Sequence, residues 1–249
     1  ECQRWINDNI LSALSPHACA TGYVTGRSIR DHASPHVDAG FVLTIDLENF
    51  FPTISFSRVI SIFRGLGYSG QVSTSLAKLC CLDNVLPQGA PTSPSLSNIV
   101  CKRLDEKLER FAIESGLRYT RYVDDMCFSG GEIKKHTLDE IEKIVSSEGF
   151  RTNKSKTHLH APRSNLKLVT GVNVALGKMS LPKSYKRAIS TDLFHIEKYG
   201  LRSHLAKRKI RDPNYIEALV GKVGYWLFIE PENKRAQHYK QVLAQFVNI

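Results

Sequence analysis

Several features that mark special classes of protein are missing from this sequence. No apolar run approaches the length of a membrane span, and no signal peptide is visible at the N-terminus. The six cysteines form neither a Cys-x-x-Cys pair nor a Cys/His spacing of the kind that binds zinc. These absences argue against a membrane protein, a zinc module and a disulfide-rich secreted domain. They favour a cytoplasmic protein with reduced thiols and no membrane partner.

The composition is otherwise that of an ordinary globular protein, with 249 residues, 42% hydrophobic and 23% charged. This length allows one or two domains with a substantial core. The chain begins at Glu1 rather than Met, and residues 1–14 have the pattern of a segment from inside a structure. We therefore expect the natural chain to start further upstream.

Positive charge is concentrated in the C-terminal third of the chain. The net charge is +10, and residues 178–249 hold 14 Lys or Arg against six Asp or Glu, which leaves the remainder nearly neutral. This imbalance predicts that a polyanion lies against the C-terminal third. The alternative is a solvated helix face, which charge alone does not exclude.

Two adjacent carboxylates, Asp124 and Asp125, are the most informative residues. They lie between two short apolar arms, residues 119–123 and 126–128, and this pattern predicts a tight β-hairpin with the aspartates at its tip. A plain surface turn is the alternative. Like charges on a stiff hairpin repel unless a cation offsets them, and Mg²⁺ prefers carboxylate oxygens together with substrate phosphates. The pair therefore predicts half of a magnesium site.

A third carboxylate, Asp46, stands near the end of an apolar run. Residues 41–47 predict a buried central strand, where a lone charge is costly unless it is paired or bound to a metal. Asp46 precedes Asp124 by 78 residues, so only tertiary folding would bring these carboxylates together.

A stiff loop rich in Gly and Pro, residues 86–94, leads into a long predicted helix. Ser93 would cap this helix and Pro94 would take its first position. Such a loop could hold a flat ligand against the helix N-terminus, or it could be a plain helix start.

Two histidines and a short strand pair complete the set of informative segments. His32 and His36 lie in a loop-rich basic stretch, where contact with backbone or phosphate is favoured over metal binding. Residues 166–174 predict a strand pair around Thr-Gly. After Gly177 three helices are predicted, one at residues 182–199 and two that begin at residues 212 and 231, and residues 57–66 predict a helix earlier in the chain.

Taken together, these motifs resemble the reverse transcriptases, and among them the bacterial retron type. Asp46 with Phe51 matches the first catalytic motif of that family, residues 88–98 match its nucleotide-pocket motif, and residues 122–125 match its YxDD box. Residues 169–171 resemble the VTG element of retron enzymes, and residues 32–36 resemble their NAxxH element. Two positions depart from the pattern. His32 stands where Asn is usual, and Val123 stands where many retron enzymes have Ala.

The resemblance implies an α+β fold of the right-hand polymerase type. Its partial fingers, with a connecting palm helix, would comprise residues 1–40 and 55–85. The palm, with an antiparallel sheet and helices, would comprise residues 41–54 and 86–176, and residues 177–249 would form a basic helical thumb. The N-terminal finger strands of the family, with their triphosphate-binding basic residues, are not found in this sequence.

The implied chemistry is nucleotidyl transfer with two Mg²⁺ ions. Asp46 and Asp124 would bridge both ions, Asp125 would support them, and the Leu47 carbonyl would complete one coordination sphere. The ring of Phe51 would exclude a 2′-hydroxyl and so favour deoxynucleotides, with a core position as the alternative. The remaining nucleotide contacts would come from Gln88, Gly89, Ala90 and Lys156.

The implied partners are the cognate retron non-coding RNA, its DNA product, dNTPs and an effector protein acting in anti-phage defence. Priming from the 2′-hydroxyl of an internal guanosine would give branched RNA–DNA. The implied RNA or primer contacts are Arg27, His32, His36, Val169, Thr170, Gly171, Lys207, Arg208 and Lys209.

Four rival functions remain open at this point. A group II intron-like or diversity-generating reverse transcriptase shares the three carboxylates but lacks the VTG element. An RNA-dependent RNA polymerase usually has a small polar residue where Phe51 stands. A catalytically inactive RNA-binding scaffold would not need all three carboxylates, and a two-metal nuclease would have no use for the loop at residues 88–98.

Overall fold

The computed structural model describes residues 1–246 and divides the chain into two compact units, Glu1–Asn165 and the residues from Leu166 onward. In the first unit the helices are α1 (Cys2–Asn9), α2 (Ile29–Ala33), α3 (Phe50–Thr53), α4 (Phe56–Gly65), α5 (Gly70–Cys80), α6 (Ser93–Val100), α7 (Lys102–Glu114) and α8 (Thr137–Ser147). Short 3₁₀ turns lie at Leu11–Ala13, Ser34–His36 and Lys154–Lys156. Among residues 1–246, no helix is both long and apolar enough to cross a membrane.

The first unit is built on an antiparallel sheet of four strands, β1 (Phe41–Asp46), β2 (Arg118–Tyr122), β3 (Asp125–Gly130) and β4 (His158–His160). Their order is β2-β3-β1-β4, so β1 lies in the interior of the sheet, as its apolar sequence predicted. Leu43 and Ile45 of β1 are buried in a core that also holds Leu96, Leu104 and Leu108. The α+β class with an antiparallel sheet is confirmed.

The predicted hairpin is present, but its tip lies one residue earlier than expected. Strand β3 already begins at Asp125, which pairs with Tyr122, so the two turn residues are Val123 and Asp124. Val123 has φ +61°, whereas Asp124 is not among the positive-φ residues. A positive φ at the first central position alone is the pattern of a type II′ turn, in which Gly is usual. The prediction of both aspartates at the tip is therefore wrong for Asp125.

The loop before α6 also differs in detail from the prediction. Ser93 is the first residue of α6 rather than its cap, and its hydroxyl donates to the Pro87 carbonyl at 2.6 Å, which closes the loop on itself. The predicted long helix is two helices, because the chain breaks at Cys101 between α6 and α7. Both helices still bury their apolar faces in the core, α7 against β2 and α6 against α4 and α7, so the amphipathic pattern was interpreted correctly.

Within residues 166–246, the second unit contains a two-stranded hairpin and four helices. The hairpin joins β5 (Leu168–Val169) to β6 (Val172–Asn173), as predicted, and both turn residues, Thr170 and Gly171, have positive φ. The helices are α9 (Lys183–Tyr199), α10 (Leu201–Arg208), α11 (Tyr215–Ile229) and α12 (Lys234–Ala244), of which α10 was not predicted.

The boundary between the units precedes the hairpin, whereas the predicted palm–thumb boundary follows it at residues 176/177. Asn173 exchanges backbone hydrogen bonds with Ser180, which ties the hairpin to the chain that leads into α9. The assignment of residues 1–40, 55–85 and the other ranges to fingers, palm and thumb stays a prediction, and residues 247–249 of the expected thumb lie outside the described part.

Candidate functional site

Three carboxylates from two distant segments of the sequence converge at one end of the sheet. Oxygen atoms of Asp46, Asp124 and Asp125 all lie within 4.8 Å of one another, and among the described residues this is the one such group suited to a metal ion. The antiparallel register explains the convergence, because Asp46 at the end of β1 is paired directly with Asp125 at the start of β3. The Leu47 amide also donates to the Asp124 carbonyl at 3.0 Å and so fixes the turn against β1.

Asp46 is paired with a lysine on the opposite side from the hairpin. Its backbone carbonyl accepts a hydrogen bond from the Asn153 amide at 2.8 Å, which brings the 3₁₀ turn at Lys154–Lys156 beside it. The Lys156 ammonium then lies 3.1 and 3.2 Å from the two carboxylate oxygens of Asp46. Hydrogen bonding to Asp46 and the charge of that group raise the pKa of Lys156. The predicted contact of Lys156 with the nucleotide phosphates stays a prediction, and this geometry places its ammonium beside Asp46.

Asp124 shows the electrostatic cost of bringing these groups together. Burial, followed by the negative charge of Asp46, raises the pKa of Asp124 above its ordinary value of 3.8. Both causes disfavour the ionised form, and a bound cation would reverse both, because opposite charge favours ionisation.

A divalent metal ion fits this group on the chemistry of its donors. All three side chains offer hard anionic oxygens, and Mg²⁺ and similar cations take carboxylates together with substrate phosphates. Leu47 follows Asp46 directly, and the use of its carbonyl as a further ligand stays a prediction.

Phe51 follows Asp46 by five residues and is the half-buried member of an aromatic pair. Phe50 is 3% exposed and stacks on Phe150, whereas Phe51 packs edge-on against Phe50 with ring centroids 5.2 Å apart. The core position considered as an alternative therefore belongs to Phe50. The ring of Phe51 keeps a solvent-facing part that a bound sugar could contact.

The loop that precedes α6 is partly exposed to solvent. Gln88 and Gly89 are exposed, Ala90 is half-buried, and Gly89 adopts φ +86°. The Ser93 amide donates to the Ala90 carbonyl at 3.2 Å. The loop is thus stiffened from within, while its outer edge stays open to a ligand.

His32 and His36 do not reach the surface. Their exposed fractions are 1% and 0%. The Oγ1 atom of Thr120 lies 2.8 Å from His32 Nδ1 and 2.7 Å from His36 Nε2, and Ser129 Oγ lies 2.7 Å from His36 Nδ1. The expected direct contact of these imidazoles with RNA is therefore not available in this structure. They fasten the segment at residues 29–36 to β2 and β3, and contact with backbone and neighbouring hydroxyls explains them.

The other residues expected to contact RNA differ in accessibility. Arg27 is half-exposed and lies 3.7 Å from Asp31. In the second unit Val169 is buried, so of the three expected residues at the hairpin Thr170 and Gly171 are accessible. At the end of α10, Lys207 and Lys209 are exposed, whereas Arg208 pairs with Asp192 at 2.7 Å.

Sequence reasoning missed a basic groove in the second unit. The groove is lined by Lys183, Lys186, Arg187, Ser190, Thr191, Phe194, Trp226, Asn233, Arg235 and Tyr239. Six of these residues repeat along α9 at the spacing of one helix face, which was the available signal. Lys186 is paired with Glu230 at 2.9 Å, while Lys183, Arg187 and Arg235 are exposed. Phe194 adds a half-exposed ring to the same groove.

Comparison with known proteins supplies independent information. The model of the family described as "Reverse transcriptase (RNA-dependent DNA polymerase)" matches residues 3–210. The chain is 40% identical over 196 residues to the retron Ec86 reverse transcriptase of Escherichia coli, covering 78% of this chain and 61% of that protein. It is 30% identical over 240 residues to the E. coli retron Ec83 enzyme, covering 88% and 73%. Against the retron Mx162 enzyme of Myxococcus xanthus the identity is 29% over 264 residues, covering 94% and 54%. The chain thus spans between about half and three quarters of the length of these relatives.

Proposed function

Because the chain belongs to the reverse transcriptase family, and within it to the retron type, we propose that it copies RNA into DNA by nucleotidyl transfer at the three aspartates. The observation that carries this proposal is the meeting of Asp46, Asp124 and Asp125 at one end of the palm-like sheet. Their convergence provides the anionic oxygens that this chemistry requires.

Asp46, Asp124 and Asp125 would together hold two Mg²⁺ ions. When bound, such ions lower the pKa of an attacking hydroxyl and neutralise the charge of a leaving pyrophosphate. The chain's own task is to keep three carboxylates in position against their mutual repulsion, which the β1–β3 register and the Leu47–Asp124 hydrogen bond accomplish. Positioning and charge neutralisation account for most of the catalysis in this class of reaction.

The incoming dNTP would lie between Phe51 and the loop that contains Gln88, Gly89 and Ala90. The exposed face of Phe51 supports a role in rejecting ribonucleotides, because a ring beneath the sugar leaves no room for a 2′-hydroxyl. Lys156 would leave Asp46 and bind the triphosphate instead, because an ammonium on a flexible side chain can act as counter-ion to either group.

The template and its product would bind to the second unit through phosphate contacts. The basic groove on α9 and α12 supports this, because exposed Lys and Arg together with an aromatic ring form a typical surface for nucleic-acid backbone and bases. Lys207, Lys209 and the Thr170–Gly171 turn remain proposed contacts as well.

The biological template would be a structured non-coding RNA of a retron, copied into DNA that stays linked to the RNA. This step rests on the relatives, which are retron reverse transcriptases by name. A cytoplasmic setting, an effector protein and a role in defence against phage belong to the same proposal. Sequencing the nucleic acid that copurifies with the protein tests it, and a random sample of cellular RNA would contradict it.

Primer extension on an RNA template, with Mg²⁺ and dNTPs, tests the activity itself. We expect Asp46→Asn to reduce DNA synthesis to background and to leave RNA binding, measured by fluorescence anisotropy, nearly unchanged. Asp83→Asn is the matched control, because Asp83 is exposed in a loop at φ +49°, a conformation that Asn also tolerates. Synthesis by Asp46→Asn at the rate of the control would refute the proposal.

A further inference from the structure

A fully buried ion pair joins the hairpin that carries Asp124 to helix α7. Arg121, in β2, and Asp105, in α7, both have side chains with 0% exposure. The guanidinium donates from Nε to Asp105 Oδ1 at 2.8 Å and from Nη2 to Oδ2 at 2.6 Å. The Tyr119 hydroxyl also donates to Oδ1, at 2.9 Å. Desolvation offsets much of the attraction in such a pair, so stability alone does not account for it.

The remaining nitrogen of Arg121 reaches the turn itself. Nη1 donates to the Val123 carbonyl at 2.8 Å and to Asn98 Oδ1 at 3.1 Å. The Val123 carbonyl belongs to the peptide group that carries the Asp124 amide. Arg121 therefore fixes the orientation of the peptide plane from which the Asp124 side chain starts.

Val123 needs this support because its backbone conformation is uncommon. A β-branched residue at φ +61° is strained and persists only where its surroundings determine it. Gly22 closes the opposite side, since a Cβ at Gly22 would lie 2.7 Å from the amide nitrogen and Cγ2 of Val123. The Gly22 carbonyl accepts from Asn98 Nδ2 at 2.9 Å, which links this segment to the same network.

We infer that Arg121, held in place by Asp105, is a positioning residue that orients Asp124 for cation binding by fixing the Val123 carbonyl. This inference rests on the proposed function and concerns the same site. It requires arginine, because a planar guanidinium can serve Asp105, Asn98 and the Val123 carbonyl together. A lysine ammonium is a compact charge that could keep Asp105 but would leave the carbonyl without its donor.

The test compares Arg121→Lys with Arg118→Lys, the same substitution at an exposed position of the same strand. Four quantities are measured for each variant: the melting temperature, the Kd for Mn²⁺ alone by electron paramagnetic resonance, and both kcat and KM for dTTP on a primed poly(rA) template. For Arg121→Lys we expect Mn²⁺ binding and kcat each to fall about tenfold or more, with a smaller change in KM. Arg118→Lys should match the parent.

A second variant separates positioning from folding. Asp105→Leu combined with Arg121→Met removes both buried charges, so neither is left unpaired, and it is expected to fold. It should show the same loss of Mn²⁺ affinity. Mn²⁺ binding within about twofold of the parent, in either variant when folded, would overturn the inference. If the parent binds Mn²⁺ but copies no RNA, the proposed function fails while the Mn²⁺ measurement still decides the role of Arg121.

Discussion

Neighbouring residues of the same type have different roles in this protein, and their burial separates those roles. Phe50 is in the core whereas Phe51 is half-buried, and Asp124 lies in a turn whereas Asp125 begins a strand. The sequence pattern identifies the pairs but not the division within each pair, because one residue of offset in a hairpin or a short helix exchanges the inner and outer positions.

Phe51→Ala tests the selection of the sugar. Removing the ring should let ribonucleotides compete, and we expect the preference for dTTP over UTP, expressed as a ratio of kcat/KM, to fall on the order of tenfold or more. Single-nucleotide incorporation on an RNA template measures it. Phe51→Tyr, which keeps the ring, should retain the preference of the parent. Equal selectivity in all three proteins would assign Phe51 to packing, and efficient use of UTP by the parent would favour an RNA polymerase.

At the scale of elements, the sequence predicted those whose apolar period is clear and whose ends carry ordinary signals. Strand β1, the β2–β3 hairpin and the β5–β6 hairpin are confirmed, as are α4 and α9 to within about a residue. Helix α10 was missed because its residues show little separation into apolar and polar faces, so no period marks it.

Side-chain networks were harder to predict than elements. Ser93 closes a loop instead of capping a helix, and His32 and His36 are buried against Thr120, which lies 84 to 88 residues away in sequence. The positions of these partners follow from the packing of β2 against α2, and no local pattern reports such contacts. The aspartates were predictable because a charged side chain within an apolar segment is costly unless a counter-charge or a metal ion lies near it. This signal is visible in the sequence even when the partner residue is distant.

The basic groove leads to a prediction about salt dependence. Neutralising Lys183, Arg187 and Arg235 to Gln should weaken RNA binding and lower the slope of log K against log [salt] by about 2, since each phosphate contact contributes about 0.7 to 0.9. The comparison protein carries Lys207→Gln, Arg208→Gln and Lys209→Gln together. We expect its salt slope to decrease by less, because Arg208 is already paired with Asp192. Binding isotherms at several salt concentrations give both slopes. An unchanged slope in the groove variant would mean that these cations face solvent.

At the scale of the whole molecule, the buried histidines couple stability to pH. Burial lowers the pKa of His32 and of His36 from 6.5 to about 3. Each imidazole is therefore neutral in the folded protein and takes up a proton on unfolding below pH 6.5. Their contribution to the free energy of unfolding is complete above pH 6.5 and is lost as the pH falls toward 3. At pH 5 the loss is about 2 kcal/mol for each histidine.

His32→Asn isolates one of these contributions. The amide can place a polar atom near Thr120 Oγ1, where His32 Nδ1 now lies, but it does not titrate. We expect the loss of unfolding free energy between pH 7.5 and pH 5, measured by urea denaturation, to be about 2 kcal/mol smaller than in the parent. His158→Asn, at an exposed position, should leave the pH dependence unchanged. The same pH dependence in His32→Asn as in the parent would contradict the assignment.

The contact between Lys156 and Asp46 has a consequence for how the protein behaves before catalysis begins. Three carboxylates with no cation nearby would repel one another or take up protons, but here the Lys156 ammonium already neutralises part of their charge. A metal ion must compete with Lys156 for Asp46, so we expect it to bind more weakly than it would to three unpaired carboxylates. Weak binding in the absence of nucleotide would suit the proposed reaction, in which one cation would arrive with each nucleotide and leave with each pyrophosphate.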